Sequence, residues 1–115
     1  MQTSVVRTFR FEAAHQLPWH TGKCRQLHGH GYRLEVTVTG PLTGVGIVID
    51  FADLAAVVRS SILDVYDHTF LNDLIENPTA EVIVADAWKR LAAAGLAVTR
   101  LRLWETEDCF VEITA

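Results

Sequence analysis

Two stretches of this chain alternate apolar and polar side chains with a period of two, and a long glycine-punctuated segment separates them. In residues 4–13, Val5, Phe9, Phe11 and Ala13 share one parity while Arg10 and Glu12 take the other. In residues 32–39, Leu34, Val36 and Val38 face one way and Arg33, Glu35, Thr37 and Thr39 the other. Successive strand side chains point to opposite faces, so both segments read as half-buried antiparallel strands joined by a loop that holds Cys24, His28 and His30. A third alternation over residues 99–105 sets Leu101 and Leu103 against Arg100 and Arg102; Glu107-Asp108 supplies a turn, and residues 109–114 return as a last strand. Two helices are expected between these strand pairs. Asp50 is placed to cap a helix with Phe51, Leu54, Val58 and Ile62 at helical spacing, which gives way near Tyr66-Asp67-His68. Thr79 can cap a second, carrying Val82, Ile83, Trp88 and Leu91, with Glu81 in its first turn and Gly95 at its C-terminal stop. The order ββααββ over residues 1–115 describes one α+β domain: an antiparallel four-stranded sheet with both helices on one face.

At 115 residues the chain has room for a modest core, yet 50% of it is apolar and only 21% charged. With the second sheet face and the sheet edges left uncovered, that richness points to a homo-oligomer. A formal net charge of −4 with no basic stripe argues against a general nucleic-acid binder. No segment reads as a signal peptide and no apolar run is long enough to span a bilayer. Cys24 and Cys109 are therefore expected as free thiols in a reducing cytoplasm.

Three histidines carry the chemistry. In an extended segment His28 and His30 project to one face and can aim two imidazoles at one ion, with Gly29 leaving room beside it; His15 would supply the third. Three neutral imidazoles with an open fourth position describe catalytic zinc. His-x-His alone is common without a metal; what singles this one out is the company of Lys23, Cys24 and Arg25 in the same short segment. The flanking cations favour the Cys24 thiolate, which reads equally as a fourth ligand, a base or a structural loop cysteine. Asp67-His68 is either an acid/base pair or a cationic histidine at a helix C-terminus. Glu105 shares the parity of Leu101 and Leu103, so it either points to the core side, where an unpaired carboxylate is costly, or turns to solvent at the strand end.

The motifs Phe-x-Ala-Ala-His, Cys-x3-His-Gly-His-x-Tyr, Ile-Asp-Phe, Asp-His-x-x-Leu-Asn, Glu-Asn-Pro-Thr-x-Glu and Glu-Thr occur in this order over nearly the whole chain. In that combination the sequence resembles the 6-pyruvoyltetrahydropterin synthase family, and most of all its 6-carboxytetrahydropterin synthase branch, which serves queuosine and other 7-deazapurine pathways. The three residues between Cys24 and His28 match the carboxy-forming branch, the pyruvoyl-forming branch having the wider spacing. The resemblance implies the T-fold, whose subunits join their sheets into a β-barrel, here expected as a hexamer of two trimer rings with active sites at subunit boundaries. It implies Zn2+ on His15, His28 and His30, Cys24 as the catalytic cysteine, and Asp67 with His68 as its partner pair. It further implies Glu105 as the anchor of the pterin, Thr79 and Glu81 at the border of its pocket, and 7,8-dihydroneopterin triphosphate as substrate. Lys23 and Arg25 are candidates for meeting the triphosphate. A pyruvoyl-forming synthase and a non-enzymatic zinc-binding assembly protein are the alternative readings.

Overall fold

In a computed structural model that describes residues 1–115, strand β1 (Thr3–His15) pairs antiparallel with β2 (His28–Gly40) along the full length of both, from Thr3 opposite Gly40 to His15 opposite His28. The alternation read from the sequence is visible in the burial: Phe9, Phe11 and Ala13 from β1 and Tyr32, Leu34, Val36 and Val38 from β2 all enter the core. Both strands outrun their apolar patterns. His28 and His30 therefore lie on β2 and not in the preceding loop, which keeps only a single 3-10 turn, Lys23–Arg25.

Helix α1 (Phe51–Val58) begins as expected, with the Asp50 carboxylate accepting from the backbone N–H groups of Ala52 and Asp53. It continues through a wider π turn, Arg59–Leu63, into the last helical turn α2 (Asp64–Tyr66). Leu54, Val58, Ile62 and Tyr66 point inward, while Phe51, at the very start, stays 59% exposed. Strand β3 (Thr69–Phe70) then runs parallel to Ala13 and Ala14 of β1. Two residues carry no readable period, so this strand was not expected, and the sheet has five strands where four were read.

Helix α3 (Ala80–Ala93) is capped by Thr79, whose hydroxyl accepts from Val82 N–H, and buries Ile83, Val84, Ala87 and Leu91; Val82 faces out. It ends on Gly95 at φ +85°, with Gly95 N–H donating to Ala92 O and Leu96 N–H to Leu91 O. That pair of bonds is the Schellman arrangement, and it needs a left-handed residue at this point. Strands β4 (Val98–Thr106) and β5 (Cys109–Thr114) complete the order β3-β1-β2-β4-β5, with all pairings but the first antiparallel. The helices cover one face, over a cluster of 22 buried apolar residues. The other face presents Arg10 and Glu12, Arg33 and Glu35, and Arg100 and Arg102, with Trp104 and Phe110 among them. What remains open are the outer edge of β5 and the outer edge of β1 before Ala13, rows of unpaired backbone groups that invite further strands. No helix is long and apolar enough to cross a membrane.

A Cβ added at Gly95 would meet nothing within 4 Å, so Gly95→Ala tests backbone conformation alone. It should cost about 1–2 kcal/mol, the penalty for an L-residue in the left-handed region, read as a lowered urea midpoint with an unchanged slope.

Candidate active site

His15 ends β1 exactly where His28 and His30 open β2, and the antiparallel register brings the three imidazoles together at one end of the core face. Their ring centroids are 4.4, 4.8 and 5.1 Å apart, and one nitrogen from each lies within 4.8 Å of the others. His15 is completely buried, and the other two are half-buried.

Backbone carbonyls set the tautomers. His15 Nδ1 lies 2.8 Å from Pro78 O and His28 Nδ1 lies 2.7 Å from Gln26 O. A carbonyl can only accept, so both Nδ1 atoms carry hydrogen and, in the neutral rings, both Nε2 atoms present lone pairs. Those two Nε2 atoms are 2.8 Å apart, a repulsive approach unless a proton or a cation lies between them. His30 Nε2 is buried and has no hydrogen-bond partner, which is rare and costly for a buried polar atom. Burial holds the His30 pKa below its ordinary value; the Glu105 carboxylate pulls the other way, and His15 and His28 add to the lowering. Neutral imidazole is the form that binds metal. Converging nitrogen lone pairs, one of them orphaned, with carbonyls fixing two of the rings, fit a divalent ion of the zinc type.

Glu105 borders this cluster. The β4–β5 register shifts between Trp104 and Thr106, a bulge that leaves Glu105 out of the ladder and re-aims its side chain. Its Oε1 lies 3.5 Å from His15 Nε2 and 3.8 Å from His30 Nε2. Of the two orientations open from the sequence, it takes the one toward the core side. Tyr32 lies at the inner side of the cluster, its hydroxyl 3.5 Å from His15 Nδ1. Burial first, then the charges of Glu105 and Cys24, push its phenol well above the ordinary range, so it stays protonated.

Cys24 is half-buried in the 3-10 turn, held there by Leu17 N–H donating to its carbonyl, and does not belong to the metal-ligating set. Lys23 and Arg25 are exposed on the same turn and line no cleft. Asp67 and His68 grip the backbone of β1 at Glu12: Asp67 Oδ1 accepts from Glu12 N–H, and His68 N–H donates to Glu12 O. The Glu12 N–H, and after it the hydrogen bond from His68, hold the Asp67 carboxyl below its ordinary pKa. His68 Nδ1 lies 3.0 Å from Asp67 Oδ2, which leaves its Nε2 pointing away, and the residue sits at φ +59°. A non-glycine residue held there is strained, and such strain collects at functional sites. His68 is 79% exposed and lines a cleft of about 450 Å³ together with Glu12, His30 and Thr69, floored by Ala14, Gly29 and Gly31. Cys24 does not line that cleft. Thr79 is engaged in capping α3, next to the Pro78 carbonyl that holds His15; Glu81 is exposed on the first turn and makes no hydrogen bond or ion pair to the cluster.

Three supports were missed in the sequence. Pro78 and Gln26 act through carbonyls and leave no side-chain signal. Asn72 both accepts from Gln16 N–H and donates to Gln16 O, clamping the residue after His15. It stands in the Asp-His-x-x-Leu-Asn motif, but its grip needs three dimensions to be seen.

The 6-pyruvoyl tetrahydropterin synthase family profile matches residues 4–115. A 6-carboxy-5,6,7,8-tetrahydropterin synthase from Haemophilus influenzae is 36% identical over 135 aligned residues, covering 94% of this chain and 96% of that protein. Another from Synechocystis sp. is 43% identical over 99 residues, covering 80% of this chain and 77% of its own. The structure of Caenorhabditis elegans 6-pyruvoyl tetrahydropterin synthase matches with a TM-score of 0.88 at 23% identity, over 100% of this chain and 96% of that one, and shares the fold.

The centre should take up about one divalent ion per chain, and His28→Ala should lose most of it by elemental analysis. Stoichiometric metal surviving in His15→Ala, His28→Ala and His30→Ala alike would refute the site.

Proposed function

The chain belongs to the 6-pyruvoyl tetrahydropterin synthase family, and from that premise we propose that it is a zinc-dependent 6-carboxy-5,6,7,8-tetrahydropterin synthase of queuosine or 7-deazapurine biosynthesis, acting in the cytoplasm. It converts 7,8-dihydroneopterin triphosphate and one water to 6-carboxytetrahydropterin, with release of acetaldehyde and triphosphate. The names of its relatives support the pterin chemistry. The observation that carries the reading is the three-histidine centre, with His30 Nε2 left without a partner, beside a cleft that bears the strained Asp67-His68 pair.

His15, His28 and His30 would hold the ion. When bound, zinc supplies Lewis acidity to the substrate's side-chain hydroxyls. Cys24 moves a proton at the side-chain carbon next to the pterin ring, and His68, its tautomer set by Asp67, is the second acid/base. Cys24 does not line the cleft that His30 and His68 share, so in this reading Cys24 and the Asp67-His68 pair meet on one substrate across a subunit boundary. That requirement favours a homo-oligomer, and the open edges of β1 and β5 favour closure into a barrel, as a hexamer of two trimer rings. Glu105 accepts hydrogen bonds from the pterin's ring N–H and amino group, with Thr79 and Glu81 at the pocket border.

Zinc-loaded protein incubated with 7,8-dihydroneopterin triphosphate should yield 6-carboxytetrahydropterin and acetaldehyde by mass analysis. A pyruvoyl product would move the chain to the sister activity, and no turnover would favour a zinc-binding assembly protein. Cys24→Ala should keep its zinc and lose ~10²–10⁴ in rate, the usual contribution of a general base; zinc lost in parallel would make Cys24 a ligand. Glu105→Gln replaces one acceptor by a donor. It should lower kcat/KM at least about tenfold, since a charge-assisted hydrogen bond contributes roughly 1.5–3 kcal/mol, with zinc content unchanged; a zinc-depleted Glu105→Gln protein would make Glu105 a metal ligand instead.

A further inference from the structure

On the helix-free face of the sheet one row of side chains is electrically unbalanced. Arg10 of β1 stands directly opposite Arg33 of β2, Arg33 opposite Trp104 of β4, and Trp104 opposite Phe110 of β5. Farther along the same face the cations are matched. Arg102 reaches Glu112 at 2.6 Å and Glu35 at 3.7 Å, and Arg100 lies 3.9 Å from each of the same two carboxylates. No carboxylate pairs with Arg10 or Arg33, although like charges placed opposite each other destabilise a strand pair.

Arg33 is nevertheless held in place. Its guanidinium lies 3.8 Å over the Trp104 ring, and its Nε is buried without a hydrogen-bond partner. An indole face steadies a guanidinium but offers it no acceptor. Both arginines line a cleft of about 120 Å³ with Gly31, Trp104, Thr106 and Glu107. Gly31 also lines the larger cleft that holds His68, so the two lie side by side, with the Glu12 carboxylate against Gly31.

We propose that Arg10 and Arg33 form a subsite for phosphoryl oxygens, and that the group it takes is the phosphate chain of the substrate handled beside His68. A planar guanidinium presents paired N–H donors to such oxygens, and Arg10 supplies a second positive charge. Assigning the phosphate chain to a pterin rests on the function proposed above; the anion subsite itself does not. Lys23 and Arg25, the cations singled out in the sequence, are exposed and line no cleft, and the subsite replaces them in that role.

The test is calorimetric titration of the full chain with inorganic tripolyphosphate and with orthophosphate, with no pterin present. Repeating it in the His28→Ala background removes any contribution from chelation of the bound metal. Arg33→Met and Arg10→Ser should each weaken tripolyphosphate binding at least about tenfold, the loss expected of one charge-assisted contact, while the Lys23→Ala/Arg25→Ala double variant binds as the parent does. Arg10 is exposed, so Arg10→Ser keeps the proposal testable if Arg33→Met fails to fold. Absence of tripolyphosphate binding, or binding unchanged in both variants, overturns the subsite; a carboxylate of a neighbouring copy filling the cleft would give the first of these. With the dephosphorylated pterin, which lacks the leaving group, used as a competitive inhibitor of turnover, Arg33→Met should erase any preference for the triphosphate, read as its KM against the inhibitor's Ki. A preference that survives while tripolyphosphate binding is lost overturns the assignment to substrate and leaves a site for a free anion. Arginine-dependent tripolyphosphate binding in a chain that turns over no pterin would support the subsite and refute the enzymatic reading.

Discussion

The structure depends on the ladder between β1 and β2. Its register runs unbroken from Thr3 opposite Gly40 to His15 opposite His28. One constraint thereby does two things. It sends Phe9, Phe11, Leu34 and Val36 into the core, and it delivers His15, His28 and His30 to the same face at the end of that core. A slip of one residue would turn every side chain of a strand to the other face. The core therefore guards the histidine cluster: the observed register both buries the apolar residues and assembles the histidines.

The sheet keeps two kinds of chemistry apart. The helix-covered face ends in the histidine trio and Glu105, while the opposite face carries the balanced Glu35, Arg100, Arg102 and Glu112 network and the unbalanced Arg10 and Arg33. The end of β1 links the two sides. Ala13 and His15 point inward, while Glu12, just before them, is tied through its backbone to Asp67 and His68. The end of α2 is fastened to α3 through the Tyr66 hydroxyl, which donates to the Asp86 carboxylate that Arg90 also holds. The Asp67-His68 pair thus follows directly after a tyrosine anchored in the core.

Much of this was legible in the sequence, for identifiable reasons. Alternation marked β1, β2 and β4 because each has one buried and one open face, while β5 followed from the Glu107-Asp108 turn. Asp50, Thr79 and Gly95 marked helix ends because each satisfies backbone groups that a helix cannot satisfy itself. The histidine trio was legible because ligand spacing survives in one dimension. What failed was short or relational. β3 has two residues, too few for a period. Strand β2 extends through His28-Gly29-His30, where composition gives no strand signal. Phe51 and Val82 sit at first turns, where helical spacing no longer guarantees a neighbour to pack against. The opposition of Arg10 and Arg33 exists only through the register of two strands, although each arginine had already been placed on the polar parity.

The reliance of the histidine centre on Pro78 and Gln26 carbonyls has an evolutionary consequence. Every residue type carries that acceptor, so side-chain replacement at Gln26 leaves the His28 tautomer untouched, and sequence drift there goes unseen by the histidine cluster. Insertions and deletions have the opposite character. Adding or removing a residue in the segment from Asn72 to Thr79, or between Cys24 and His28, would displace an acceptor no substitution could restore. Loop length, more than loop composition, is the heritable variable that this centre monitors.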